Sequence, residues 1–317
     1  MLSPSHQEKH MIRPAMMIAA AAVFLAAAPA GARSQEHHGH ASAAHAHADF
    51  ASDRLHVMVE GEGQDVILIP GLSSSPEIWQ GTVDRLGDGY RIHRVHVNGF
   101  AGASAGANAE GPVAAPVAEE IARYIADQGL ERPAVIGHSM GGTIAMMLAA
   151  RHPDAVGRLM VVDMVPFMGA MFGPPGTTAE SVAPTADQVY AAQSGSPREA
   201  YLAQAEQTII GMIQTESERE GPLRHSRDSD QQVSAAAFRE LIVTDLRPEL
   251  SAITAPTEVL YVKFNDPRMT PEITDMIYQM SFQTLPGAEL TRVDDAAHFI
   301  MLDQPDLFAE RVRAFLD

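Results

Sequence analysis

The stretch Val135-Ile136-Gly137-His138-Ser139-Met140-Gly141-Gly142 constrains this chain more than any other. An apolar run from Pro133 to Ile136 breaks into a glycine-flanked serine, and a small-residue helix pattern follows from Thr143 to Arg151 before stopping at His152-Pro153. A serine between a buried strand and a buried helix can turn the chain only on a very tight bend, where residues two before and two after it must lack side chains. Gly137 and Gly141 occupy those positions. This is the G-x-S-x-G nucleophile elbow, which lifts the serine hydroxyl onto a peak and leaves the Met140 backbone N–H at a helix N-terminus, facing any oxyanion formed there. The pentapeptide alone would fit an ordinary small-residue turn. Its strand and helix flanks argue for the elbow.

A serine hydroxyl is a poor nucleophile at neutral pH, so Ser139 requires a histidine base and a carboxylate from elsewhere in the fold, in the chain order serine, acid, histidine. His298 is the expected base, because Arg292 to Phe299 reads as a loop after a short strand and before the terminal helix Pro305 to Leu316. His138, beside the serine, points the wrong way. Asp266 is the expected acid, since Glu258 to Phe264 reads as a strand with Asn265-Asp266-Pro267 turning away from its end, where catalytic groups collect in open α/β sheets. Asp163, ending the strand Leu159 to Val162, competes for the same role. Asp294 and Asp295 lie so close to His298 that a turn role suits them better. The second oxyanion donor is expected at the Leu72 backbone N–H, in the turn Pro70 to Ser75 after the strand Val66 to Ile69.

With these pieces in place the chain resembles the α/β-hydrolase fold superfamily, of the single-domain serine esterase, lipase and peptidase type. Ile69-Pro70-Gly71-Leu72-Ser73-Ser74 followed by Trp79 is similar to the family's oxyanion loop and first helix. Asn98 to Ser104 resembles the loop after the next strand, Asp245 to Leu250 with Ala255-Pro256-Thr257 the return from cap to core, and His298-Phe299 with Asp303-Gln304-Pro305 the histidine loop and last helix. The resemblance spans roughly residues 54 to 317 with a divergent middle. Three positions depart from it: Pro70 stands where a histidine is common, Asn98 where an aspartate is common, and Ala297 where a glycine or serine is common. The resemblance implies an α/β fold, a mostly parallel central sheet flanked by helices, with core segments 54–165 and 246–317. A helical cap over 166–245 is expected after the sixth strand.

Within that cap, Phe167, Met168, Met171 and Phe172 open the segment, and Pro197 to Thr215 reads as a helix with Leu202, Ile209, Ile210 and Ile213 on its apolar side. Glu216 to Gln232 is strongly charged and reads as a solvated loop or hinge. At the other end, Arg13 followed by the alanine-rich run Ala15 to Ala28, with Ala28-Pro29-Ala30 and Ala30-Gly31-Ala32 as cleavage candidates, reads as a signal segment within 1–32 whose start could be Met11. The run is short for a membrane span, so no stable insertion is expected after cleavage. Residues 33–53 form a polar tail with His37, His38, His40, His45 and His47, expected to be disordered and to bind divalent metal weakly.

The chain has no cysteine, so an oxidising compartment would add no disulfide. Its formal charge of −18 argues against nucleic acid and anionic membrane surfaces as partners. The expectation is an exported, periplasmic or secreted hydrolase, without cofactor or catalytic metal, that cleaves a small or medium apolar carboxylic ester through an acyl-enzyme. Lactone, amide or carbon–carbon cleavage by the same residues, and a non-catalytic binding protein on the same scaffold, are the alternatives.

Overall fold

The computed structural model describes residues 50–317. The expected signal segment, and the His-rich tail before Phe50, lie outside the described residues. Seven strands form one sheet: β1 (Leu55–Gly61), β2 (Gly63–Ile69), β3 (Gly89–Val97), β4 (Ala134–His138), β5 (Arg158–Val162), β6 (Thr257–Tyr261) and β7 (Glu289–Arg292). Their order is β1-β3-β2-β4-β5-β6-β7, with β1 antiparallel to β3 and every other pairing parallel. A parallel sheet is covered on both faces, which explains why the strands read as continuous apolar runs rather than alternations. In β2, Ile67 and Ile69 face a core layer shared with Val135, Ile144 and Val117, whereas Val66 and Leu68 face the opposite layer with Ile136, Trp79 and Phe308.

Six helices flank the sheet: α1 (Gln80–Leu86), α2 (Ala114–Asp127) and α3 (Met140–Arg151) in the first half, with four inserted helices before the rest. Those four are α4 (Ala179–Gly195), α5 (Arg198–Met212), α6 (Glu220–Asp228) and α7 (Gln231–Val243), and the chain closes with α8 (Pro271–Ser281), α9 (Ile300–Asp303) and α10 (Pro305–Leu316). The chain leaves β2, pairs β3 on one side, then returns to place β4 on the other. The crevice above the C-terminal ends of β2 and β4 is therefore the topological switch point, where open α/β sheets bind ligands. α3 is buried along nearly its whole length, so its alanines and glycines let it lie close to the sheet.

The four inserted helices leave the sheet after β5, the fifth strand counted from Leu55 rather than the sixth. α4 begins at a reciprocal capping box between Thr178 and Ser181, and α7 at Asp230, whose carboxylate accepts from the backbone N–H groups of Gln232 and Val233. The charged stretch expected as a loop over 216–232 instead contains α6. Its inner face buries Pro222, His225 and Ser226, and the His225 Nε2 sits 3.1 Å from a Glu77 carboxylate oxygen on the core. The charge that suggests solvent lies on one face only. No helix of the described residues is long and apolar enough to cross a membrane.

One carboxylate joins the insertion to the core. Glu240 on α7 reaches the N-terminus of α2 and accepts from the backbone N–H groups of Val113 (2.6 Å), Ala114 (2.7 Å) and Ala115 (2.9 Å). α2 has no acidic residue in its own first turn, so an anion from another helix satisfies its orphan donors and complements its dipole. Replacing Glu240 by Ala strands these donors and is expected to lower the unfolding free energy by about 3 kcal/mol or more, with Glu240→Gln intermediate, read from urea unfolding midpoints.

Candidate active site

Ser139 follows the last residue of β4 and has φ 54°, the left-handed region rarely tolerated by a residue with a side chain. Its backbone N–H donates to the Val162 carbonyl at 2.9 Å, carrying the β4–β5 ladder one residue further, while its own carbonyl accepts from Gly142 at 2.8 Å to start α3. The bend is as tight as the glycine pattern requires. A Cβ at Gly137 would lie 2.1 Å from the Gly141 carbonyl oxygen, and one at Gly141 would lie 2.2 Å from that of Ile69. A Cβ at Gly71 would come within 3.0 Å of the Ser139 Cβ, so the turn after β2 is pressed against the serine. Leu72 and Met140, the expected oxyanion donors, therefore lie on the two segments that flank Ser139. Met140 is the first residue of α3, where backbone N–H groups have no partner within the helix.

His298 lies in the loop after β7, and its Nδ1 is 2.6 Å from the Oδ2 of Asp163. A carboxylate oxygen accepts, so Nδ1–H is the donor of this pair, and Nε2 is the ring nitrogen left without this bond. Asp163 directly follows β5, with φ 50°, a second strained residue at a strand end. Its backbone N–H donates to Leu260 at 2.7 Å, and its Oδ1 accepts from the Val262 N–H and the Tyr278 hydroxyl, both at 3.1 Å.

This geometry corrects the choice of Asp266 as the partner of His298. Asp266 is held by Arg268, two residues on, through a two-oxygen contact, and it also accepts from the Arg268 backbone N–H at 2.8 Å. The Arg268 side-chain bond, with the backbone bond behind it, holds the Asp266 carboxyl down at about 2. Its low exposure is shallow, because the group that covers it is a guanidinium 59% exposed. The expected strand to Phe264 also ends early, at Tyr261, and the next backbone N–H, that of Val262, turns to the Asp163 carboxylate. The residue two beyond Asp266 was the available signal: an arginine there closes a local ion pair and withdraws the carboxylate. Asp294 pairs with Arg292, and Asp295 is an exposed turn residue at φ 56°.

The His298 loop is held from several directions that sequence reasoning missed. His138 lies beneath it, fully buried, and its Nε2–H donates to the His298 carbonyl at 2.9 Å, with ring centroids 4.6 Å apart. Burial, reinforced by the nearby His298 ring, pushes the His138 imidazole well below its ordinary value and keeps it neutral. Asp303 accepts from Ala297 N–H on the loop (2.8 Å) and from Gln214 and Thr215 N–H at the end of the α5 segment (3.1 and 2.8 Å). Phe299 N–H donates to the Met212 carbonyl at 3.2 Å. The inserted helices are thus stitched to both sides of the histidine. Ser73, beside Leu72, bonds Ser234 of α7 at 2.8 Å.

A strained serine thus follows β4, an aspartate β5 and a histidine the last strand, and the alpha/beta hydrolase family model matches residues 66–311. The chain belongs to the alpha/beta hydrolase family. A pimeloyl-[acyl-carrier protein] methyl ester esterase of Aliivibrio fischeri is 25% identical to this α/β-hydrolase over 275 residues, covering 83% of this chain and 97% of that enzyme. Among solved structures, an esterase from Exiguobacterium antarcticum superposes with a TM-score of 0.69 at 22% identity, covering 83% of this chain and 95% of that one. The enol-lactonase of Burkholderia xenovorans gives 0.64 at 20% identity, covering 83% and 96%. These two share the fold. No group of three or more metal-ligating side chains placed to hold an ion occurs among the described residues.

Two buried imidazoles give this α/β-hydrolase a pH dependence of stability. His138 and His225 both have their values lowered, chiefly by burial. Such a group binds fewer protons folded than unfolded, so its contribution is complete above the unfolded value near 6.5 and drains away as pH falls below it. Unfolding free energy is expected to decline from pH 7 to 5. In His225→Gln the slope should be shallower by up to about 1.4 kcal/mol per pH unit, measured by urea titration at each pH.

Proposed function

We propose that this α/β-hydrolase cleaves a small or medium apolar carboxylic ester by acyl transfer from Ser139 to water. The observation that carries the reading is the 2.6 Å bond from His298 Nδ1–H to Asp163, in a fold that also sets Ser139 on its elbow. His298 Nε2 takes the Ser139 proton as Oγ attacks the carbonyl carbon. Asp163 holds the ring and balances the imidazolium, and the N–H groups of Leu72 and Met140 receive the oxyanion. His298 then returns the proton to the departing alcohol, and a water activated by the same base releases the acid.

Sequence and charge support a free ester rather than one carried on an acidic protein. The arginines of the insertion are engaged: Arg224 with Glu77, Arg227 with Glu220 and Arg239 with Asp187, while Arg198 and Arg219 bond backbone carbonyls. With a formal charge of −18, the chain offers little attraction to an anionic carrier. The relatives that are ester hydrolases support an ester over an amide. Export rests on the apolar run after Arg13, and N-terminal sequencing of protein recovered outside the cytoplasm tests it; an intact Met1 or Met11 there would refute cleavage. The His-rich tail fits a tether with weak affinity for divalent metal, a property a tail-deleted variant should lose without change in turnover.

Initial rates on a chain-length series of p-nitrophenyl esters test the chemistry. Ser139→Ala is expected to lose about six orders of magnitude in kcat, and Asp163→Asn about four. Asp266→Asn should keep wild-type turnover. Ester turnover that survives Ser139→Ala, or that Asp266→Asn abolishes while Asp163→Asn spares it, would overturn the assignment. No turnover on any ester would redirect the search to lactones and carbon–carbon substrates, and would raise the binding-protein reading.

A further inference from the structure

We infer that Tyr278 is a positioning residue for the reaction: its hydroxyl, with the Val262 N–H, pins one oxygen of Asp163 so that only the other faces His298. The inference rests on the assignment of Asp163 as the acid that orients the base. A carboxylate has two oxygens and several acceptor directions, and rotation about its last bond is soft. Left with His298 as its one donor, Asp163 could swing and carry the imidazole with it. Two donors on Oδ1, each at 3.1 Å, remove that freedom and leave Oδ2 for the 2.6 Å bond.

The two donors are unlike. The Val262 N–H belongs to the backbone just beyond β6, whereas the Tyr278 hydroxyl comes from α8 and is held by packing. Its ring is almost completely buried and stacks on Tyr261 at 4.0 Å and 17°, with Phe264 and Phe282 stacked further along. Beside the stack, and without reaching Asp163, the Tyr261 hydroxyl donates to Asp275 at 2.9 Å, and Asp275 also accepts from Arg292 at the same distance. Burial, with the Asp163 charge adding to it, pushes the Tyr278 phenol well above its ordinary range, so it stays a donor at any working pH. Hydrogen bonds to Oδ1 also draw negative charge away from Oδ2. The hydroxyl therefore sets both the direction and the strength of the bond to His298.

A buried phenol that only satisfies its own hydroxyl would look similar in packing, so the test reads the Asp163–His298 bond itself. Tyr278→Phe keeps the ring stack and removes the donor; Tyr261→Phe breaks the neighbouring bond to Asp275 and controls for loosening of α8. In Tyr278→Phe, kcat on p-nitrophenyl acetate is expected to fall about tenfold with KM within about twofold, as for loss of one bond to a charged group. The downfield proton resonance of His298 Nδ1–H should move further downfield, because Oδ2 becomes the stronger acceptor. Tyr261→Phe should leave both readings in place. Should Tyr278→Phe fail to fold, 3-fluorotyrosine at position 278, a stronger donor, should move the same resonance upfield. Unchanged kcat and resonance in Tyr278→Phe, with Asp163→Asn still severely impaired, would overturn this inference alone. Full activity in Asp163→Asn would overturn the acid assignment and this inference with it.

Discussion

The close approach of three backbone segments at the C-terminal edge of the sheet is the constraint on which the rest of the structure depends. The end of β2, the turn at Ser139 and the first residues of α3 pack so closely that methyl groups at Gly137 or Gly141 would penetrate carbonyl oxygens. That proximity forces Ser139 to φ 54° and brings the Gly71 turn against it. Strain of this size, on the order of 1–3 kcal/mol per residue, persists because the β4–β5 ladder and the nearly fully buried α3 over-determine it. The same ladder sets the ends of β5 and β6, and therefore the places where a carboxylate can face the histidine.

Much of this was legible in the residues. The serine turn is local: strand, glycines and helix lie within a few positions, and the steric requirement reads directly from the pattern. His298 was legible from its place after the last strand. The partner of His298 was harder to read, because Asp163 and Asp266 each follow an apolar strand and only the arginine two residues beyond Asp266 sets them apart. The structure separates them fully: Val262 and Tyr278 donate to one from distant segments, and Arg268 takes the other locally. Helix α6 was hidden for a related reason, since its buried His225 and Ser226 count as polar in any pattern of hydrophobic period. A polar residue can occupy an inner face when a partner such as Glu77 is brought to it from elsewhere.

The electrostatics around the site divide labour among three imidazoles and three carboxylates. His298 has a carboxylate at Nδ1, His138 has a carbonyl at Nε2, and His225 has Glu77. Of the three, His298 is the partly exposed one, with Asp163 at its Nδ1. His138, buried and kept neutral, supports the His298 loop without placing a cation 4.6 Å from its ring. Asp303 contributes by geometry, tying the α5 end and the histidine loop to a single side chain. Movement of the inserted helices would in this way be felt at His298.

The anchoring of α2 by Glu240 carries a consequence for how the chain acquires its fold. The helix forms from residues 114–127, yet the group that completes its first turn arrives more than a hundred residues later in the chain. Contacts of such separation close late, because the chain between them must be ordered before they form. During synthesis α2 would emerge and dock while its leading amides still faced water, and only completion of α7 would seal them. The nascent protein would therefore pass through a stage with β1 to β5 synthesised and the α2 end unsealed, the stage at which a chaperone or a protease would find most to hold.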